Sequence, residues 1–251
     1  MPSAVEFKQT IKLIEDISFQ YGIEDVYFVG GYPRAMAMGL GFDDVHDLDV
    51  ASGRPGRAKE LAGFVAEAGK ADDIHSHHRT TTVTVTFGEV EVDFQGSEIH
   101  NKVAPYVRLA GVEETPISMN IFDRDFTVNS LAIKSGTTEI IDMTKRGMDD
   151  IEAKIVRTII PAELKIPEDP LLITRAIKLS AKYGFIIDKD LWKAMKKNVN
   201  KLQHGLSPHR LAIEAYILSK YPKSKGLLDI LGIKFLESPE VIELGKEESE
   251  D

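Results

Sequence analysis

At 251 residues, 43% of them hydrophobic, the chain is long enough to form one large or two small domains with a real core. It has no cysteine, which excludes disulfides and thiolate metal sites; its apolar runs fall far short of a membrane span and its N-terminus lacks a signal-peptide pattern, so a cytoplasmic protein with no membrane partner is expected. The formal net charge of −9 speaks against an evenly charged nucleic-acid binder, but residues 237–251 carry −6 of it while residues 189–226 carry +7.

Residues 5–21 place Val5, Ile11, Ile14 and Ile17 among polar neighbours, the spacing of an amphipathic helix. Strands are expected at 25–30 and 46–51, on either side of a Gly30-Gly31 turn and a helix that starts near Arg34, and residues 57–68 read as a further helix. Thr80 to Phe87 alternates and is rich in β-branched residues, and Glu89 to Phe94 follows after Gly88, so the pair reads as a hairpin. His75, His77 and His78 precede it in a polar stretch with no carboxylate or cysteine at ligand spacing after them, and read as loop histidines. From Asp149 the pattern turns helical, over 149–154, 169–183, 189–203 and 208–219. In the third of these Leu191, Met195, Val199 and Leu202 share one face, with Lys193, Lys196, Lys197 and Lys201 off it. That lysine surface suits an RNA backbone, although an ordinary solvated face has the same pattern. Trp192, the single tryptophan, reads as a packing residue. A mixed sheet followed by helices gives an α+β chain.

The chemistry concentrates between residues 26 and 49. Asp47 and Asp49 are separated by one apolar residue on an expected strand, so both carboxylates leave the same face, at a spacing suited to shared divalent cations. That is the arrangement two-metal phosphoryl chemistry requires. The Gly30-Gly31 turn lets backbone approach a phosphate, and Arg34 can grip phosphate oxygens in bidentate fashion. Asp93, in Glu91-Val92-Asp93, is the candidate for a third carboxylate, against the alternative of a polar strand facing water. Asp125 has two readings, site residue or helix cap, and Asn129 likewise, site residue or exposed helix residue.

Gly30-Gly31-x-x-Arg34 followed by Asp47 and Asp49 resembles the opening motif of the class II tRNA nucleotidyltransferase and bacterial poly(A) polymerase family. Arg124-Asp125-Phe126-Thr127-Val128-Asn129-Ser130-Leu131-Ala132 is similar to a second family motif almost residue for residue. Ile140-Ile141-Asp142 and Gly147-Met148-Asp149-Asp150-Ile151 resemble the segment that closes the family's head domain, and Glu168-Asp169-Pro170 with Arg175-Ala176 resembles its base-reading motif.

The resemblance implies a polymerase-beta-like nucleotidyltransferase head over residues 1–148 and a helical neck over 149–236, with 237–251 left as an acidic, disordered tail. It implies template-independent addition of CMP, AMP or both, from CTP and ATP, to the 3′ end of RNA, above all tRNA. Mg²⁺ would be held by Asp47 and Asp49, with Asp93 beside the attacking hydroxyl. Gly30, Gly31, Arg34, Arg124, Asp125 and Asn129 would bind triphosphate and ribose, and Glu168, Asp169 and Arg175 the base. Lys193, Lys196, Lys197, Lys201 and Arg210 would meet RNA, and self-association is left open. Three positions depart from the family pattern: Ala35 for an aspartate, Asp123 for an arginine, and Leu172 for the arginine that reads the base edge. Leucine has no hydrogen-bond donor, so base choice is expected to be relaxed or shifted, with Arg175 one turn on. The resemblance covers the family's head and neck domains, and body and tail domains like those of full-length members are not expected within these residues. Alternatives are a catalytically reduced nucleotide- or RNA-binding homologue, a poly(A) polymerase-like activity on other RNAs, and an enzyme acting on a small-molecule or protein hydroxyl.

Overall fold

A computed structural model describes residues 2–52, 56–77, 82–96 and 102–250. Its contacts divide the chain into two compact units, residues 1–151 and 152–251.

In the first unit, helix α1 (Ala4–Gln20) opens with a capping box in which Ser3 and Glu6 satisfy each other's backbone N–H groups. Its buried stripe is Phe7, Ile11, Ile14 and Ile17, the helical spacing read from the sequence. Strand β1 (Val26–Val29) runs into helix α2 (Gly31–Ala37), then strand β2 (Asp47–Ser52) and helix α3 (Arg57–Gly69). Three strands follow, β3 (Asp73–Ser76), β4 (Val83–Phe87) and β5 (Val90–Gly96), then helices α4 (Ala104–Leu109) and α5 (Pro116–Asp123). Strands β6 (Leu131–Lys134) and β7 (Ile140–Asp142) and helix α6 (Gly147–Glu152) close the unit.

The seven strands form one sheet in the order β3-β4-β5-β2-β1-β6-β7. Only β2 and β5 pair in parallel, because the chain between them crosses over through α3 before the β3–β4 excursion returns it. Leu48, Val50, Val92 and Phe94 point to one face, where they share a core with Leu61, Ala62 and Val65 of α3 and Phe7 and Ile14 of α1. Alternation therefore sends Asp47, Asp49, Glu91, Asp93 and Gln95 to the other face.

The second unit pairs two short parallel strands, β8 (Ile155–Val156) and β9 (Ile186–Ile187), beside helices α7 (Ala162–Glu168), α8 (Leu172–Tyr183), α9 (Lys189–Gly205), α10 (Pro208–Ser219), α11 (Ser224–Leu231) and α12 (Pro239–Glu250). Leu172, Ile173, Ile177, Leu191, Met195 and Leu218 are among its buried side chains.

Several expectations are revised. The tail expected to be disordered is helical over Pro239–Glu250, and this helix packs on α10. Val241 and Ile242 are half-buried among the acids, and Gly245 makes the close approach possible: a Cβ there would lie 1.8 Å from the Ala212 carbonyl oxygen. His75 lies on β3 and so is not a loop residue, whereas His77 follows the end of that strand, as a loop residue; His78, Thr80 and Thr81 lie outside the described residues. The helix expected to start near Arg34 starts at Gly31, and that expected from 169 starts at Leu172, after Pro170. Trp192 is half-buried, with the Lys196 ammonium 5.3 Å above its ring. No described helix is long and apolar enough to cross a membrane.

Candidate active site

The turn after β1 sets the geometry. Gly30 has φ 74° and ψ −122°, a conformation open only to glycine, and a Cβ on it would lie 2.3 Å from Asp49 Oδ2 and 3.0 Å from Arg124 Nη1. Backbone is thus pressed against the carboxylate face. A Cβ on Gly31 would sit 3.8 Å from both Arg34 Nη2 and Asp47 Oδ1, so the arginine and the first carboxylate border the same turn.

Asp49 pairs in register with Val29 on β1 and with Asp93 on β5, while Asp47 pairs with Glu91. All four acids therefore share one sheet face, with Asp49 and Asp93 half-buried and Asp47 and Glu91 exposed. Burial pushes the Asp49 carboxyl up to about 6; Arg124 opposes the rise, and Asp47, Asp93 and Asp125 add to it. Arg124 Nη1 lies 3.6 Å from Asp49 Oδ2. Gln95 completes a triangle, with its Nε2 donating to Asp49 Oδ1 at 2.8 Å and its Oε1 accepting from Arg124 Nη2 at 3.1 Å. A second chain links Arg34 Nη1, which donates to Asn129 Oδ1, with Asn129 Nδ2, which donates to Asp125 Oδ1 at 2.8 Å. A third engages Asp93, whose Oδ1 accepts from the Thr84 hydroxyl at 2.5 Å.

Arg124 to Ala132 is shaped by its buttresses. Arg124 caps the C-terminus of α5, and residues 127–129 form a single 3-10 turn with no side-chain cap, so Asp125 is no helix cap and its carboxylate serves Asn129 and the Phe126 N–H. Behind the turn the Thr127 hydroxyl donates to Asp150 Oδ2 at 2.6 Å, Ser130 Oγ meets Thr144 Oγ1 at 3.0 Å, and Thr144 donates to Asp142 Oδ1 at 2.8 Å. The closing motifs 140–142 and 147–151 thus hold the loop that presents Arg124, Asp125 and Asn129.

Nine of the sequence-derived residues are thereby gathered in the first unit: Gly30, Gly31, Arg34, Asp47, Asp49, Asp93, Arg124, Asp125 and Asn129. Gln95 and Thr84 were missed. Gln95 stands two residues beyond Asp93, so the period of two that exposed the acids also points to it. Thr84 depends on the β4–β5 register, which places it opposite Asp93.

Glu168, Asp169 and Arg175 belong to the second unit. Asp169 Oδ1 accepts from the Leu171 N–H at 3.1 Å, opening the path into α8, and Arg175 is exposed on that helix. Leu172 is 1% exposed, a core residue, and Ala35 is wholly buried in the first unit's core; Asp123 is exposed. Lys193, Lys196, Lys197 and Lys201 are all exposed on α9, whereas Arg210 sits apart on α10 with Nη2 donating to buried Glu214 Oε1 at 2.8 Å.

The profile of the poly(A) polymerase head domain matches residues 26–157, which carry every element of this site. The chain belongs to that family, with the class II CCA-adding enzymes. Over 216 residues it is 31% identical to a CCA-adding enzyme of Streptococcus pneumoniae serotype 19F, covering 85% of this chain and 50% of that protein. The tRNA nucleotidyltransferase cca2 of Schizosaccharomyces pombe is 27% identical over 248 residues, covering 89% and 49%. Among solved structures, the Thermotoga maritima CCA-adding enzyme complexed with tRNA superposes with a TM-score of 0.71 at 20% identity, over 92% of this chain and 52% of that one. A CCA-adding enzyme complexed with CTP gives 0.71 at 20%, over 92% and 53%. These likenesses establish the mixed-sheet head fold with its flanking helices; the chain spans about half the length of the curated relatives it matches.

The acids fit hard divalent cations, which take oxygen ligands, and Mg²⁺ sites are commonly built from one or two carboxylates plus substrate phosphates. Asp47 and Asp49 would be such a pair; among the described residues no group of three or more His, Cys, Asp or Glu could by itself hold a metal ion.

Proposed function

We propose that the chain is a template-independent RNA nucleotidyltransferase that adds CMP, AMP or both to RNA 3′ ends, with tRNA as the acceptor. The observation that carries this reading is the row of carboxylates Asp47, Asp49 and Asp93 on one sheet face, pressed against the Gly30 turn and bordered by Arg34 and Arg124. The named relatives, CCA-adding enzymes and a tRNA nucleotidyltransferase, support the acceptor and the nucleotides.

In this reading Asp47 and Asp49 hold Mg²⁺, which when bound neutralises triphosphate charge and lowers the pKa of the RNA 3′-hydroxyl. Arg34, steadied by Asn129, and Arg124 bind phosphate oxygens and position the α-phosphorus. The 3′-oxygen bonds to that phosphorus, the bond to the bridging oxygen breaks, pyrophosphate leaves, and the hydroxyl proton passes to Asp93. Asp125 holds Asn129 in place. Base choice is assigned to Glu168, Asp169 and Arg175; Leu172, buried and without a donor, takes no part in it, which leaves Arg175 as the arginine of that segment. The lysines of α9 meet RNA phosphates, so acceptor binding weakens with salt. The protein is cytoplasmic, where its nucleotides and tRNA are.

Equilibrium binding of CTP and ATP with and without Mg²⁺ tests the reading. Mg²⁺-dependent binding that is lost in the Asp47→Ala, Asp49→Ala double variant supports it. Binding indifferent to both metal and acids would sink it.

A further inference from the structure

The carboxylate row does not end at Asp93. Cross-strand register continues it from Asp49 on β2 to Asp93 on β5, Thr84 on β4 and His75 on β3. His77, two residues beyond His75, is tied back to the hairpin by its own N–H, which donates to the Thr82 carbonyl at 3.1 Å. Its Nε2 lies 2.9 Å from Thr84 Oγ1, and Thr84 Oγ1 lies 2.5 Å from Asp93 Oδ1.

Chemistry fixes the direction of this chain. An ionised carboxylate only accepts, so the single hydroxyl proton of Thr84 is donated to Asp93. The hydroxyl oxygen then accepts from His77, which must carry its proton on Nε2. We infer that Thr84 and His77 are positioning residues: through the Thr84 hydroxyl they fix the carboxylate plane of Asp93 and engage Oδ1, directing proton acceptance from the RNA 3′-hydroxyl to Oδ2. The inference rests on the reading of Asp93 as proton acceptor given above. Thr84 is half-buried and bonded directly to the carboxylate, while His77 is exposed and acts one bond further away, so Thr84 carries the larger share.

The test is steady-state incorporation of CTP and ATP into a tRNA transcript ending before CCA, with Asp93→Asn, Thr84→Val, Thr84→Ser, His77→Ala and His77→Gln variants of the whole chain. Thr84→Val keeps the shape and removes the hydroxyl; it is expected to lower kcat about tenfold with the nucleotide KM unchanged, the signature of an interaction made in the transition state. Thr84→Ser restores the donor and is expected to remain within about twofold of the parent. His77→Ala is expected to lose about threefold and His77→Gln, whose amide can donate, to recover it. Thr84→Val is expected to add nothing on top of Asp93→Asn, since the two act through one group.

Loss of kcat in Asp93→Asn with none in Thr84→Val overturns the relay and leaves Asp93 standing. An unaffected Asp93→Asn, or a parent protein that incorporates no nucleotide, overturns the reading of Asp93 and the relay with it. Equal losses in Thr84→Ser and Thr84→Val would also contradict the relay, because they would trace to packing and not to the hydroxyl.

Discussion

Replacing Asp49 by asparagine separates what this carboxylate does for the site from what it does to the fold. Its pKa is raised from 3.8 to about 6, chiefly by burial, so the folded state holds its proton more tightly than the unfolded chain. The stability tied to that proton is fully present below pH 3.8 and is lost as pH rises through about 6. At pH 7 and above, a rise of this size corresponds to about 3 kcal/mol of destabilisation in the metal-free protein. Asparagine is neutral, keeps an oxygen for the Gln95 donor and loses only the ionic part of the Arg124 contact. Asp49→Asn is therefore expected to stabilise the metal-free protein at pH 8 by about 2 kcal/mol, or roughly 4–8 °C in Tm, with almost no gain at pH 4. Differential scanning calorimetry in EDTA at the two pH values measures this. Added Mg²⁺ should raise the Tm of the parent and leave the variant unmoved, since only a state that binds metal is stabilised by it. A variant less stable than the parent at pH 8 in EDTA would overturn this expectation, because Asp49 would then be supporting the fold in its ionised form.

Other consequences can be checked separately. Mg²⁺ must displace the Asp49 proton, so its affinity is expected to rise about tenfold between pH 5 and 7 and to level off above 7, with proton release on calorimetric titration in buffers of different ionisation heat. Gly30→Ala forces a side chain into φ 74° and against Asp49 Oδ2, and is expected to abolish Mg²⁺-dependent nucleotide binding and to lower stability by about 1–3 kcal/mol in urea unfolding. Thr127→Val removes the buried hydroxyl bonded to Asp150 and is expected to destabilise the fold by about 1–3 kcal/mol and to weaken nucleotide binding without touching the ligand. Gly245→Val places a side chain where only 1.8 Å separates a Cβ from the Ala212 carbonyl; loss of helical circular dichroism and faster proteolysis of the segment after Ser238 are expected.

What could be read from residues alone follows the strength of the local signal. The acid pair at 47 and 49 and the glycine turn are short local patterns that spacing alone could read, whereas the block from Arg124 to Ala132 was tied to them by its family resemblance. Strand alternation also placed Asp93, and would have placed Gln95 had the count been carried two residues further. Strand β3 was invisible because an exposed edge strand with the sequence Asp-Ile-His-Ser needs no apolar alternation, which also made His75 look like a loop residue. The C-terminal helix was hidden by its charge: the signal that mattered was Val241, Ile242 and Gly245, a narrow stripe that works only because α10 lies against it. Leu172 looked like a lost base reader. In the structure Leu172 is a buried packing residue at the start of α8.

Nucleotide transfer to an RNA end can be measured outright by incubating the protein and Mg²⁺ with each labelled NTP in turn. The acceptors are tRNA transcripts ending before CCA, after C, after CC and after CCA, beside an unstructured RNA. Incorporation of C, A or both into one or more of the truncated tRNAs is expected, abolished by Asp49→Asn. A folded protein that incorporates nothing into any of these RNAs would contradict the proposed function.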